Sequence, residues 1–470
     1  MNLIDIQKSF FESALELDSH IFSNEQFNQW IEELRKTNSY EINKIPFSEC
    51  DKWSFADDRS SLRHESGKFF SIEGLLIETN FGSLSKWSQP IINQPEIGIL
   101  GFITKVIDGV RHFLVQAKME PGNIDLVQIS PTLQATKSNF TQVHKGKKPA
   151  YLEYFLNHPS SSIIYNQLQI EQCGRFIKKR NRNVIIEITD ELSLEDYFKW
   201  LTLGQIKKLL QSNNIINMDS RTVISCISYM ELIQSKMALP TIILNQAITP
   251  LTQAFIKSIH SVENSIHNEY QIISWFTDLK INYELKTTSI SLTDLEDWAI
   301  NEYEIKNIKH DYFKINAFRI NGGAREVNSW CQPLITEEKT GAIGFLTTYI
   351  NKVMHFLVQA KMEPGSIDTI DMCPTISVSN FSKENDNIPF VRELRNANDD
   401  EILIDSIQSE EGGRFYHVQN KYMIILKENY DHVSIPENYI WMTLGQILSF
   451  IKHGYFNIEA RSLISCINLI

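Results

Sequence analysis

The sequence predicts an α+β protein made of two tandem copies of one unit with mixed sheets, joined by a helical connector. Three observations predict it. HFLVQAKMEPG runs from His112 to Gly122 and returns letter for letter from His355 to Gly365, and so long a match 243 residues apart marks a duplicated domain. Other matches keep the same order: WSQPII (87–92) with WCQPLI (330–335), CGRF (173–176) with GGRF (412–415), WLTLGQI (200–206) with WMTLGQI (441–447), and RTVISCI (221–227) with RSLISCI (461–467). Within each copy, alternating strand patterns give way to stretches with helical spacing.

Taken in order, residues 1–22 read as an amphipathic helix through Ile4, Phe10, Phe11, Ala14 and Leu17. A second helix starts at the capping pair Ser23-Asn24 and runs through Phe27, Trp30, Ile31 and Leu34. The first repeat is assigned to 23–230. In it, 69–80 alternates like a strand, and 98–122 reads as a hairpin around the Asp108-Gly109 turn signal. The second arm of that hairpin carries Phe113, Val115, Ala117 and Met119 on one face, and His112, Leu114, Gln116, Lys118 and Glu120 on the other, until Pro121-Gly122 ends it. Residues 129–140 read as strand and turn and 151–156 as helix. Residues 173–188 read as a hairpin with an Arg-Asn-Arg-Asn turn, 200–213 as a helix, and Asp219-Ser220 as the cap of another. Residues 231–266, without an evident counterpart, read as the connector, and 267–470 as the second repeat.

A hydrophobic fraction of 42% and a charged fraction of 22% fit a globular chain with proper cores. A net charge of −12 argues against wrapping nucleic acid or an anionic membrane, and few basic residues in the second copy of WLTLGQI…RTVISCI argue against a DNA-reading helix-turn-helix. No apolar run suits a signal peptide or a membrane span. Cysteine positions that mostly fail to repeat, with no CxxC, read as free thiols in a reducing cytoplasm. GxGxxG, Walker, HExxH and GxSxG patterns are all missing.

Comparing the copies narrows the search. Gln116, Lys118 and Glu120 recur as Gln359, Lys361 and Glu363, either as a solvated strand edge with a Lys–Glu brace or as the floor of a pocket in each copy. After SNF the first copy has His144, Lys145, Lys147 and Lys148, and after GRF it has Lys178, Lys179, Arg180 and Arg182. These form either a solvated basic face or a clamp for phosphate oxygens. The second copy offers Tyr416 and His417, which are acid–base types. Trp87 and Trp330 are either core or a stacking surface for a base or sugar.

The chain resembles the NDP-hexose 2,3-dehydratase family from about Trp30 onward. WSQPIINQPEIGILGF, FLVQAKMEPGNIDLVQISPTLQATKSNFTQVHKG, KKRNRN, WLTLGQ, NMDSRTV and SEEGGRFYH carry the resemblance. It implies two tandem Nudix-like α/β modules in a homodimer. The Nudix metal box is absent, since Arg392-Glu393-Leu394 lacks the acidic pair and glycine that should follow, so a metal-dependent pyrophosphohydrolase is not expected. The resemblance implies loss of water across C2 and C3 of a dTDP-linked 4-keto-6-deoxyhexose. The product is a 3,4-diketo-2,6-dideoxy sugar, which an NAD(P)H-dependent 3-ketoreductase then takes. The C4 ketone acidifies C3–H, so no cofactor or metal is expected; a base, an acid and donors for an enolate oxygen are. Lys118, Glu120, Lys361, Glu363, Tyr416 and His417 are the catalytic candidates. Substrate contacts are expected from Trp87, Gln116, Asn139, Thr141, His144, Arg175, Lys178, Arg180, Arg182, Trp330 and Arg414. Lys118, Glu120, Asn139, Thr141, His144 and Arg175 are expected to share one pocket, with Lys361, Glu363, Arg414, Tyr416 and His417 as the equivalents. A non-catalytic nucleotide-sugar-binding or scaffold protein is the alternative.

Overall fold

A computed structural model describes every residue except 1, 39, 138–147, 158, 160, 161, 236–248, 261, 323–328 and 470. The twice-written stretch forms the strand Val110–Met119 and, in the second copy, Val353–Lys361. Each is the second arm of a hairpin, with Gly98–Ile107 and Gly341–Ile350 as first arms. Asp108 and Gly109 both take positive φ at the first turn, which matches the twist of the flanking strands. Each hairpin lies in a seven-stranded sheet. Arg180–Glu187 runs parallel to Gly98–Ile107, and Gln419–Leu426 runs parallel to Gly341–Ile350, while the other pairings are antiparallel. The sheets are mixed, as expected.

The two copies are interlocked. Tyr40–Ile45, from the first copy, pairs with Lys314–Gly322 of the second, and Leu285–Ile290 pairs with Ser71–Thr79 of the first. Each five-stranded sheet therefore contains one strand from the other copy. The Pro-Gly turns interlock as well. Gly122 donates its N–H to the Gly412 carbonyl and accepts from His417 N–H, and Gly365 donates to Cys173 and accepts from Lys178 in the reciprocal contact. One large apolar cluster spans both copies, from Phe113 and Val223 to Phe356 and Leu463.

Several expectations change. The helix Pro250–His260 does have a counterpart, Leu3–Leu15. Ser13 donates to the Arg111 carbonyl and accepts from Leu203 N–H; Ser258 does the same with Met354 and Leu444. The segment read as a connector thus holds the opening helix of the second repeat, and too few side chains are shared for sequence matching to reveal it. Trp200–Thr202 closes the strand Phe198–Thr202, and the helix begins at Leu203 because Thr202 caps it. Asn217, not Asp219-Ser220, caps the helix Met218–Ile224. Arg180–Asn183 is strand, not turn; the turn falls at 173–178.

Candidate active site

A cavity of about 370 Å³ opens between the copies. Its floor comes from the first copy: Lys118 and Glu120 at the end of the repeated strand, Glu171, Lys179 and Asn181 around the 173–178 turn, and Asp219 in the first turn of its helix. The opposite wall comes from the second copy: Trp330, Gln332, Glu411, Gly413 and Arg414. Trp53, His64, Phe69 and Phe70 add an aromatic side. The docked Pro-Gly turn explains the mixed origin, because it brings the 411–414 turn of one copy over the Lys118–Glu120 end of the other.

Lys118 Nζ lies 3.5 Å from Glu120 Oε1 and donates to the Gln134 carbonyl at 3.0 Å. Glu411 faces Glu120 within hydrogen-bonding reach and accepts from Gly413 N–H at 2.8 Å. Desolvation by the surrounding protein raises the Glu411 carboxyl well above the usual range, and the neighbouring Glu120 pushes the same way. Burial likewise raises Asp219, helped by Glu171 and Glu120. Glu171 is raised by burial too, though Arg461 and Lys179 oppose this, and Asn181 donates to it at 2.6 Å. Burial brings Lys179 down to about 8. The cavity thus gathers carboxyl groups raised by burial beside lysine amines, groups of the kind that take and give protons.

Arg414 donates to the Gly413 carbonyl at 2.8 Å and to Gln94 Oε1 at 3.3 Å, and its guanidinium lies over the Phe70 ring at 4.2 Å. Gln332 accepts from the Trp330 indole N–H at 2.9 Å and donates to the Gly413 carbonyl at 2.7 Å, so Trp330 and Arg414 are braced through one carbonyl.

A smaller cavity of about 190 Å³ repeats the arrangement with the copies exchanged. Lys361, Glu363, Glu410 and Glu459 line it from the second copy, and Arg175 and Gln172 from the first. Lys361 pairs with Glu363 at 3.1 Å. Burial pushes Glu410 up to about 7 and Glu459 up to about 8. Here Arg175 is ion-paired to Glu337 at 2.8 Å, and Val418 stands where the larger cavity has Lys179.

Placement of the expected residues follows from this exchange. Lys118, Glu120, Trp330 and Arg414 meet in the larger cavity, whereas Arg175 belongs with Lys361 and Glu363 in the smaller one. The expected grouping of Arg175 with Lys118, and of Arg414 with Lys361, is therefore reversed. Asn139, Thr141 and His144 lie outside the described residues. Tyr416 and His417 line neither cavity; they stack on each other at 4.1 Å, and Tyr416 also stacks on Phe318. His417 and Lys178 are exposed turn residues with positive φ whose N–H groups hold the opposite Pro-Gly turn. Arg180 is exposed, and Arg182 donates to Asn166 and to the Phe155 carbonyl, away from both cavities. Lys179 alone of that basic run reaches the larger cavity. Trp87 packs with Leu75, Ile77 and Ile91, and Gln116 accepts from Ser130. His112 and His355 are buried, each bonded through Nδ1 to a backbone carbonyl two residues earlier. Glu171, Asp219 and Glu411 were missed, although acids at 171 and 410 and at 219 and 459 recur in both copies.

Among the described residues no helix is long and apolar enough to cross a membrane, and no group of three or more His, Cys, Asp or Glu is arranged to hold a metal ion. All six cysteines are free and buried.

The sequence profile of NDP-hexose 2,3-dehydratase matches residues 24–227 and 269–467, one stretch in each copy. The chain is 39% identical over 467 residues to a dTDP-4-dehydro-6-deoxy-alpha-D-glucopyranose 2,3-dehydratase of Saccharopolyspora spinosa, covering 98% of this chain and 94% of the relative. A relative with the same designation from Amycolatopsis orientalis is 38% identical, covering 97% and 92%. A third, from Streptomyces violaceoruber, is 35% identical, covering 94% and 96%.

Proposed function

The chain belongs to the NDP-hexose 2,3-dehydratase family, and we propose that it performs this dehydration on a dTDP-linked 4-keto-6-deoxyglucose in the larger cavity. The observation that carries the choice of cavity is the Glu120–Glu411 pair beside Lys118, next to an arginine that faces an amide. The C4 ketone makes C3–H acidic, so an ionised carboxylate serves as base. Glu120 takes the C3 proton, and Lys118 stabilises the enolate charge that develops on the C4 oxygen. Glu411 gives its proton to the C2 hydroxyl, which leaves as water while the C4 carbonyl re-forms. The resulting C2=C3 enol gains a proton at C2 and loses one from its oxygen, giving the 3,4-diketone. Glu120 has then gained one proton and Glu411 has lost one, and their mutual contact lets the proton return without crossing solvent. Arg414 and Lys179 hold the diphosphate, and Trp330 with the aromatic side receives the base or sugar.

The proposal also takes each repeat to be a Nudix-like module without its metal box, and the chain to act as a cytoplasmic homodimer. The reactive diketone is passed to an NAD(P)H-dependent 3-ketoreductase. Purified protein incubated with dTDP-4-keto-6-deoxyglucose and such a reductase tests the function: a 2-deoxy sugar nucleotide is expected. Tight dTDP binding without turnover would instead leave a binding protein.

A further inference from the structure

The six cysteines are not alike. Cys173, Cys226, Cys373 and Cys466 each donate to a nearby backbone carbonyl, at Glu171, Thr222, Asp371 and Ser462 in turn. Cys50 and Cys331 lie within hydrogen-bonding reach of each other, buried in one apolar cluster. They come from different copies: Cys50 closes the short turn Phe47–Glu49, and Cys331 lies in the strand Ser329–Thr336. Arg319 stands opposite Cys331 in the neighbouring strand, and its guanidinium is within reach of the Cys331 sulfur. The same guanidinium donates at 2.8 Å to the carbonyl of Glu49, the residue before Cys50.

The reciprocal contact between the copies has no thiols. There Ser88 stands for Cys331 as the second residue of WSQPII, and Leu295 stands for Cys50, three residues before the Trp298 that answers Trp53. The segments still meet, since Ser88 Oγ accepts from Glu296 N–H at 2.7 Å. Cysteines thus occupy both sides of one inter-copy contact and neither side of its twin. The pair also flanks the larger cavity. Asp51, Lys52 and Trp53 follow Cys50 along its lining, and Cys331 lines it between Trp330 and Gln332.

We propose that Cys50 and Cys331 form a modification site, where a hydroperoxide joins the two copies through a reversible disulfide that displaces the wall of the larger cavity and lowers turnover. Cys331 reacts first, because it borders the cavity and has the Arg319 cation beside it to favour its thiolate. Its sulfur attacks the O–O bond of hydrogen peroxide and becomes a sulfenic acid, and the departing oxygen leaves as water with the thiol proton. Burial raises the Cys50 thiol and keeps it protonated until then. Cys50 sulfur next attacks the sulfenic sulfur, and its proton leaves with the hydroxyl as a second water. Two thiols are oxidised by two electrons in all, and one peroxide is reduced to two waters. Disulfide sulfurs stand about 2.05 Å apart, closer than two thiols in contact, so the link draws 330–332 toward 51–53. Gln332 is bonded to Trp330 and to the Gly413 carbonyl, and it passes the shift to the 411–414 turn.

The full-length protein treated with hydrogen peroxide tests this. Peptide mapping by mass spectrometry without reductant should show Cys50 linked to Cys331. Turnover of dTDP-4-keto-6-deoxyglucose should fall about tenfold or more, and dithiothreitol should restore it. Cys50→Ala should turn over like the untreated parent and should lose the reversible inhibition. Cys331→Ser, which takes the residue of the other copy, should form no link either, and it serves if Cys50→Ala does not fold. Absence of the link in the folded parent, or equal reversible inhibition of parent and variants, would overturn the site. The effect on turnover rests on the larger cavity being the reactive one, whereas the link itself does not. A linked protein with unchanged turnover, where Lys118→Ala is inactive, would overturn the control of turnover. If Lys118→Ala is itself active, the choice of cavity fails first.

Discussion

Glu120 and Glu411 come from different copies, and two carboxyl groups in contact hold one proton between them far more readily than none. The proposed dehydration uses that shared proton, since in it one group accepts while the other donates. Glu411→Gln keeps the shape and the hydrogen bond to Gly413 N–H but removes the donated proton; kcat should fall about a hundredfold or more with KM little changed, measured by steady-state kinetics. Lys118→Ala should lose activity to a similar or greater degree, whereas Lys361→Ala, in the smaller cavity, should lose little; equal partial losses in the two would mean that both cavities react. Lys179 gives a pH signature. Burial lowers it to about 8, so it is charged below that pH and neutral above it, and KM should rise as pH passes through about 8. In Lys179→Met that rise should flatten, and a profile unchanged by the substitution would remove Lys179 from the diphosphate site.

At the scale of elements, the repeated strand and its Pro-Gly turn were legible, and their partners were not. Period-two alternation located Val110–Met119, and the Asp-Gly signal located the hairpin, because both are local properties of backbone and side chain. The strands 40–45 and 285–290 carry no mark of the copy they pair with, since a strand's hydrophobic pattern specifies a face and not a neighbour. The candidate site met the same limit: Lys118, Glu120, Trp330 and Arg414 were singled out one by one, yet the copy each one faces depends on the exchange. Lys178 and His417 misled because their side chains suggested chemistry while their positions serve backbone turns. Asp219 looked like a cap because acids favour helix starts, and it lies buried in the cavity floor instead. The Pro-Gly turn itself makes a sharp prediction. A Cβ added at Gly122 would sit 1.5 Å from the Phe415 carbonyl oxygen, and one at Gly365 would sit 1.8 Å from that of Phe176. Backbone must move in either case, so Gly122→Ala and Gly365→Ala should each destabilise by about 3 kcal/mol or more in urea unfolding. Gly122→Ala should also weaken dTDP binding, since its turn seats the 411–414 wall.

The same reciprocity, extended over the whole molecule, makes the two copies one folding unit. Arg221 is fully buried in the first copy and donates to the Ser409 carbonyl of the second at 2.5 Å; Arg461 is the mirror case, donating to the Ile170 carbonyl at 2.5 Å. Lys207, also buried, donates to the Ser465 and Ile467 carbonyls. A buried cation that loses acceptors costs several kcal/mol, so the first half alone, with Arg221 and Lys207, would carry two such losses besides an opened apolar core. It would also lack one strand of its five-stranded sheet and one wall of its cavity. A fragment of residues 1–235 should therefore neither unfold cooperatively nor bind dTDP, although it holds Lys118, Glu120, Lys179 and Asp219. Co-expression with residues 249–470 should restore both the single unfolding transition and turnover, because every exchanged contact forms between surfaces and needs no covalent link. Turnover by the first fragment alone would mean that Arg414, Glu411 and Trp330 are dispensable, and the interlocked site would have to be given up.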